Sequence, residues 1–456
     1  MSRTTRIFCV STLYGAATLA AALDAGLFEP TDRKLLVVSN NAATPEITPS
    51  VDMMPGFARI RERFDEVVSW NEAISPFHPS GWSPRPDDIP MWERYVRMLW
   101  NLGDDEVRLA VESIQVNPSL ALCQLFIGAP VDVYADGLMS YGPTRNKIDP
   151  LVGTRIGRLL HLDLVPGLTP LLLTEFGVPP VLVPSEAFVK VLGELADEED
   201  ELTAPAEQPA LLLGQYLSAL DIITDAEEEQ LHLGMVRGAV ALGHRTIVFK
   251  PHPLAPARWS RLLEDEAKKL GAELTLLDRP VLAEVAYQRL KPALVVGCFS
   301  TALFTAAALY NLPVAGVGAD TVLAKLAPYQ NSNRVPLTIA DVLLPDLTDR
   351  AAVEGWEMPS REQVDELSAL LRAVGFAMQP KIYPGLRGEA ESYLSAHLNP
   401  RTWRYFKRRR LASLALPGAV PAQLSFIPRN SAVRRLARRA RALKRAAIKQ
   451  KADAKQ

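Results

Sequence analysis

Between residues 210 and 317, short apolar runs alternate with longer stretches of helical spacing, and no other feature constrains this chain as strongly. Ala210-Leu211-Leu212-Leu213-Gly214-Gln215, Ile247-Val248-Phe249-Lys250-Pro251-His252-Pro253, residues 274–277, Leu294-Val295-Val296-Gly297-Cys298-Phe299-Ser300-Thr301 and residues 312–317 each read as a strand. Helical spacing fills the intervals at 225–241, 259–271, 281–290 and 302–310. Strands that are apolar on both faces and separated by helices predict a doubly wound parallel sheet. Ligands of such sheets sit outside the carboxyl ends of the strands. Lys250, His252, Ser300 and Thr301 fall there. Ser300 or Thr301 also stands where the N-cap of the next helix belongs, and the free N–H groups of a helix start attract an anion. The pattern implies a nucleotide-phosphate site.

The first half alternates in the same way. Residues 6–10 read as a strand, 11–15 as its loop, 16–25 as a helix and 35–39 as a second strand. Helical spacing recurs at 59–64, 92–100, 105–116 and 118–125, with a short strand at 67–68 and a Pro-, Ser- and Asp-rich loop at 75–90. Val131-Asp132-Val133-Tyr134 is a further strand, closed by Ala135-Asp136-Gly137. The acidic stretch 194–209, with Pro205 and Pro209, reads as a solvated linker. The predicted architecture is therefore α/β. It has a Rossmann-like domain at 1–193, the linker, and a nucleotide-binding Rossmann-like domain at 210–345. Helices at 346–400 are placed to pack back on the first domain, and a basic tail spans 401–456. A chain of 456 residues suits two such domains better than one core.

Charge is distributed unevenly. Residues 401–456 carry 17 Lys/Arg against Asp453 alone, while the rest holds 33 basic and 51 acidic groups. From 432 to 448, Val433, Leu436, Ala440, Leu443 and Ala447 recur at helical spacing among Arg and Lys. A basic amphipathic helix of this kind suits an anionic membrane surface. Charge alone would also suit a polyphosphate backbone, but no nucleic acid is expected as a partner. Cys9, Cys123 and Cys298 stand far apart without metal-ligand spacing, which points to a reducing cytosol. Arg3 and Arg6 precede an apolar run as in a signal peptide, yet Ser11, Thr12, Tyr14 and Thr18 interrupt it. A strand–loop–helix unit explains that segment better. Pro and Gly break the longest apolar stretch, so no membrane span is predicted.

Taken from the residues alone, His252 is a strand-end histidine held between two prolines. It is suited to stabilising leaving-group charge or supplying a proton. Asp136 is a strand-end carboxylate that either deprotonates a hydroxyl or merely shapes a turn before Gly137. No D-x-D triplet occurs, and neither metal nor cofactor is expected.

Tyr134-Ala135-Asp136-Gly137-Leu138-Met139-Ser140-Tyr141-Gly142, Phe249-Lys250-Pro251-His252-Pro253 and Phe299-Ser300-Thr301, in that order, resemble the bacterial sialyltransferases. The nearest group is the capsular α-2,8-polysialyltransferases, and the likeness covers roughly residues 5 to 330. The resemblance implies a GT-B fold, a CMP-sugar donor carrying sialic acid or a related nonulosonic acid, and a glycan or lipid-linked glycan acceptor. It implies Asp136 as general base and His252 at the donor phosphate, with Ser300 and Thr301 binding that phosphate. Glu284 would hold the ribose hydroxyls, and Gly214 and Gln215 would form the loop near the nucleotide. Such an enzyme would work in capsule synthesis, cytoplasmic and peripheral on the inner membrane face. One departure is plain: Ala135 stands where the family motif has its first acidic residue. Two other classes stay open, a CDP-glycerol-type glycerophosphotransferase, and a non-catalytic nucleotide- or glycan-binding relative.

Overall fold

The structure, a computed structural model, describes residues 3–134, 137–199, 202, 207–251 and 257–418. Asp136, His252 and residues 419–456 lie outside the described residues.

Two parallel sheets carry the chain. The first comprises β1 (Thr4–Val10), β2 (Arg33–Val38), β3 (Glu66–Ser69), β4 (Glu106–Glu112), β5 (Val131–Tyr134), β6 (Ile156–His161) and β7 (Pro180–Leu182), in the order β3-β2-β1-β4-β5-β6-β7. The second comprises β8 (Ala210–Leu213), β9 (Thr246–Lys250), β10 (Glu273–Leu276), β11 (Leu294–Gly297) and β12 (Val314–Gly316), in the order β10-β9-β8-β11-β12. Each order reverses once, between β1 and β4 in the first sheet and between β8 and β11 in the second. A reversal opens a crevice at the carboxyl ends of the flanking strands. The central strands β1, β8 and β11 are buried almost throughout, as strands covered by helices on both faces must be.

Three points correct the sequence reading. Residues 105–116, expected to be helical, contain the central strand β4, which pairs in register with β1 from Thr4↔Glu106 to Cys9↔Val111. Val107, Leu109 and Val111 alternate with Arg108, Ala110 and Glu112, the period of two that marks a strand. Second, the acidic stretch from 194 does not begin as a solvated linker. The helix Ser185–Asp197 runs into it, Glu194 pairs with Arg63 at 2.8 Å, and buried Glu199 lies 3.6 Å from Arg279. Third, the start of the basic tail is docked on the body. Arg410 donates from Nε to the Ala377 carbonyl at 2.6 Å and from Nη2 to that of Met378 at 3.0 Å, capping the helix Arg361–Met378. Lys407 Nζ reaches the Leu326 carbonyl at 2.7 Å, and Tyr405, Phe406 and Leu411 are buried.

The two domains are tied together at several places. One apolar cluster runs from Phe188, Val191 and Leu195 of the first domain to Val285 and Tyr287 of the second. Beyond the helix Arg361–Met378, the Tyr383 hydroxyl accepts from Thr144 N at 2.9 Å and lies 2.7 Å from Glu175 Oε2. Gln379 Nε2 donates to the Arg145 carbonyl at 2.6 Å. The C-terminal helices thus fasten the loop that follows Gly137.

Candidate active site at the facing strand ends

The residues that end β8, β9 and β11 converge on the second crevice. Gly214 follows β8, and its N–H donates to the Lys250 carbonyl at 2.9 Å. A Cβ there would stand 2.8 Å from Phe249 Cζ and 3.2 Å from that carbonyl, so only glycine lets the two strand ends approach. Gln215 reaches across the strand reversal and accepts from Phe299 N at 3.1 Å, locking the turn that presents Ser300. Ser300 is the N-cap of the helix Thr301–Tyr310, with extended backbone and its Oγ accepting from Ala302 N at 3.3 Å. The expected cap is therefore Ser300, and Thr301 opens the helix.

Lys250 ends β9. Burial holds its ammonium below the ordinary lysine value, opposed by the carboxylates of Glu284 and Asp278. Glu284 is in the first turn of the helix Ala283–Leu290, fully buried, and takes the Thr305 hydroxyl at 2.6 Å. Burial raises its carboxyl above the usual range; the Thr305 hydrogen bond and the Lys250 charge oppose this. In this conformation Glu284 is turned into the protein, where it holds the helix Thr301–Tyr310 through Thr305. Under the crevice floor, His232 stacks edge-on against Phe249 (5.3 Å) and Trp259 (5.5 Å).

The first domain meets this crevice at Gly137. Its φ is +59°, and a Cβ on it would fall 2.2 Å from Thr301 Oγ1. The next amide, Leu138 N, donates to Thr301 Oγ1 at 3.3 Å. The turn at Gly137 and Leu138 and the start of the helix Thr301–Tyr310 therefore touch, although 163 residues separate Leu138 from Thr301. The loop continues into a cavity of about 260 Å³ lined by Gln115, Met139, Arg145, Ser332 and Met378. There Arg145 Nη1 donates to Ser332 Oγ of the second domain at 3.4 Å.

Sequence reasoning missed Glu112. It ends β4 beside Tyr134 and is buried. Its Oε2 accepts from Ser11 N at 2.7 Å and Ser11 Oγ at 3.1 Å, and its Oε1 accepts from Thr12 Oγ1 at 2.7 Å. Thr12 in turn caps the helix Leu13–Asp24 by accepting from Gly15 N at 2.9 Å. A Cβ at Gly15 would lie 2.5 Å from Glu112 Oε1, so that glycine makes room for the carboxylate. The only available signal was the alternation in β4, which puts Glu112 on the strand's carboxyl end.

Among the described residues, no group of three His, Cys, Asp or Glu side chains gathers as a metal site would. Nor is any described helix long and apolar enough to cross a membrane.

Two doubly wound parallel domains, in contact where the turn after β5 meets the helix Thr301–Tyr310, give the chain a GT-B fold. The chain belongs to the alpha-2,8-polysialyltransferase family, whose model matches residues 6–318. It is thus a glycosyltransferase of sialyltransferase type. No curated protein matches it. Among solved structures it is similar to the GT-B domain of a Photobacterium damselae sialyltransferase, at 11% identity and TM-score 0.37, over 79% of this chain and 98% of that one. It is also similar to Acinetobacter baumannii MurG, at 12% identity and TM-score 0.39, over 84% and 98%.

Proposed function

We propose that this protein transfers sialic acid, or a related nonulosonic acid, with inversion from a CMP-sugar to a glycan acceptor. The observation that carries the reading is the contact of Gly137 and Leu138 with Thr301. It brings the turn that follows Asp136 to the start of the helix capped by Ser300. In the proposed step the acceptor hydroxyl oxygen attacks the anomeric carbon and its proton passes to the Asp136 carboxylate. The bond from that carbon to the phosphate oxygen breaks, and its electron pair leaves with CMP. The departing monophosphate is met by the Ser300 and Thr301 hydroxyls and by the positive end of their helix, with His252 as a further donor. Bringing two lobes together around the reactants orients them and excludes water.

These protein groups suffice for the phosphate charge, so the reaction is proposed to run without a metal. Ala135 leaves Asp136 as the carboxylate of the motif that serves as base. Residues 419–456 supply the basic amphipathic segment for an anionic inner-membrane surface, where a lipid-linked capsule glycan would be elongated.

Purified protein given CMP-sialic acid and, in parallel, CDP-glycerol tests the donor. Release of CMP from the first alone is expected, and turnover of CDP-glycerol would overturn the reading. Asp136→Asn should abolish transfer while CMP still binds; retained transfer would remove Asp136 as base.

A further inference from the structure

Three arginines gather on the first sheet, toward the amino ends of its strands. Arg6 of β1, Arg108 of β4 and Arg158 of β6 line a cavity of about 340 Å³ together with Asp132 of β5 and Glu29. Arg6 stands four residues before Val10, the end of β1, so the cavity lies roughly 13 Å back from the strand ends at about 3.3 Å per residue. Arg6 is paired in register with Arg108, a position at which like charges repel. Asp132 accepts from Arg6 Nη1 at 2.7 Å and from Arg158 Nε and Nη2 at 2.9 and 3.0 Å. Phe28 pins the same two guanidiniums, which lie 5.2 and 5.4 Å from its ring centre. Arg108 pairs with Glu29, whose side chain is 71% exposed. Two donors are left over. Arg6 is 3% exposed, and its buried Nε has no hydrogen-bond partner. Arg108 Nε is buried without a hydrogen bond too, with Glu106 Oε1 3.5 Å away. Burial holds the Arg6 guanidinium below its ordinary value; Asp132 opposes this, and the charges of Arg108 and Arg158 add to it. Three cations thus share one shielded carboxylate. The rest of the balance comes from Glu29 and Glu106, both exposed, whose ion pairs contribute little in water.

We infer that this cavity binds a phosphate group, and that Glu29 occupies Arg108 until the phosphate takes its place. A buried guanidinium N–H without an acceptor costs free energy that an anion recovers. A phosphate presents acceptor oxygens in several directions, which suits the forked donors of arginine. Neighbouring strands stand about 4.8 Å apart, so Arg6 and Arg108 reach oxygens of one phosphate. A free phosphate monoester and the headgroup of an anionic lipid offer this same chemistry. The site is independent of the transferase reading: Ser300 and Thr301 do not line it.

The test is calorimetry and vesicle sedimentation on the full chain, with excess CMP present to keep the probes out of the second crevice. The probes are inorganic phosphate and glycerol 3-phosphate in solution, and phosphatidylcholine vesicles with and without phosphatidic acid. Arg108→Gln should weaken binding about tenfold or more, the usual cost of a lost charge-assisted bond. Glu29→Gln should tighten it severalfold, because it frees Arg108. Glu29 is exposed, so this second variant folds even if the first does not. Opposite effects from the two partners of one ion pair separate a ligand site from a structural bridge, which either variant would merely weaken. Such opposite effects with the soluble probes assign a free phosphate monoester, and with phosphatidic acid vesicles alone a lipid headgroup. Equal binding of every probe by wild type and both variants, or no binding by wild type, would overturn the inference.

Discussion

In the first domain the crevice between β1 and β4 holds the Glu112 carboxylate, bound to Ser11 and Thr12 at the start of the helix Leu13–Asp24. In the second domain the corresponding crevice, between β8 and β11, is spanned by the neutral amide of Gln215. The helix start beside it carries the Ser300 and Thr301 hydroxyls. Both crevices arise from the same reversal of strand order, and either could in principle take a phosphate at a helix N-terminus. An internal anion already occupies the first and would repel a second one. This difference favours the second domain for the nucleotide of the proposed reaction and the first for its acceptor.

The largest expected difference between the crevices is catalytic. Ser300→Ala or Thr301→Val should each lower kcat/KM about 10²–10³-fold in transfer assays, the usual cost of one transition-state donor. Ser11→Ala, the matching change in the first crevice, should act mainly on stability. Equal catalytic losses on both sides would break the comparison.

Next is Glu112→Ala, which removes the three hydrogen bonds that its carboxylate takes from Ser11 and Thr12. It should cost about 3–4 kcal/mol in urea unfolding while CMP affinity is kept. His232 gives a slightly smaller, pH-dependent effect under the second crevice. Unfolded, its imidazole protonates near pH 6.5, whereas burial lowers the folded value to about 4. Above pH 6.5 the group makes no difference. As pH falls towards 4 the unfolded state takes up a proton that the folded state refuses, so stability declines by up to about 3 kcal/mol. His232→Leu should flatten that part of the stability–pH curve. Gly214→Ala, which forces a Cβ against Phe249 and the Lys250 carbonyl, should cost about 1–3 kcal/mol and loosen the nucleotide loop. The smallest effect on stability is expected for removal of residues 419–456. The melting temperature should hold, because the variant keeps the contacts of Lys407 and Arg410 with the body, while binding to anionic vesicles should drop.

The second domain was legible because its strands are short apolar runs with polar ends, each followed by an uninterrupted helix. The same sequence logic failed at β4. Its Ala110 and flanking Leu and Val residues fit a helix as easily as a strand until pairing with β1 decides the matter. With β4 misread, Glu112 had no strand end to stand on, and its partners lie about 100 residues away in sequence. The docking of Lys407 and Arg410, at the start of the basic tail, was not legible for a related reason. Charge counts do not reveal that the carbonyls of Leu326, Ala377 and Met378 are waiting for donors. The cap of the helix Thr301–Tyr310, by contrast, was narrowed to Ser300 or Thr301 by local rules alone, since a cap depends on the few residues that follow it.

Calorimetric titration of CMP into wild type, Ser300→Ala and Ser11→Ala tests the assignment of the nucleotide most directly. The account predicts that CMP binds wild type and Ser11→Ala alike and binds Ser300→Ala at least about tenfold more weakly. Full CMP affinity in Ser300→Ala together with its loss in Ser11→Ala would place the nucleotide in the first domain and contradict the account.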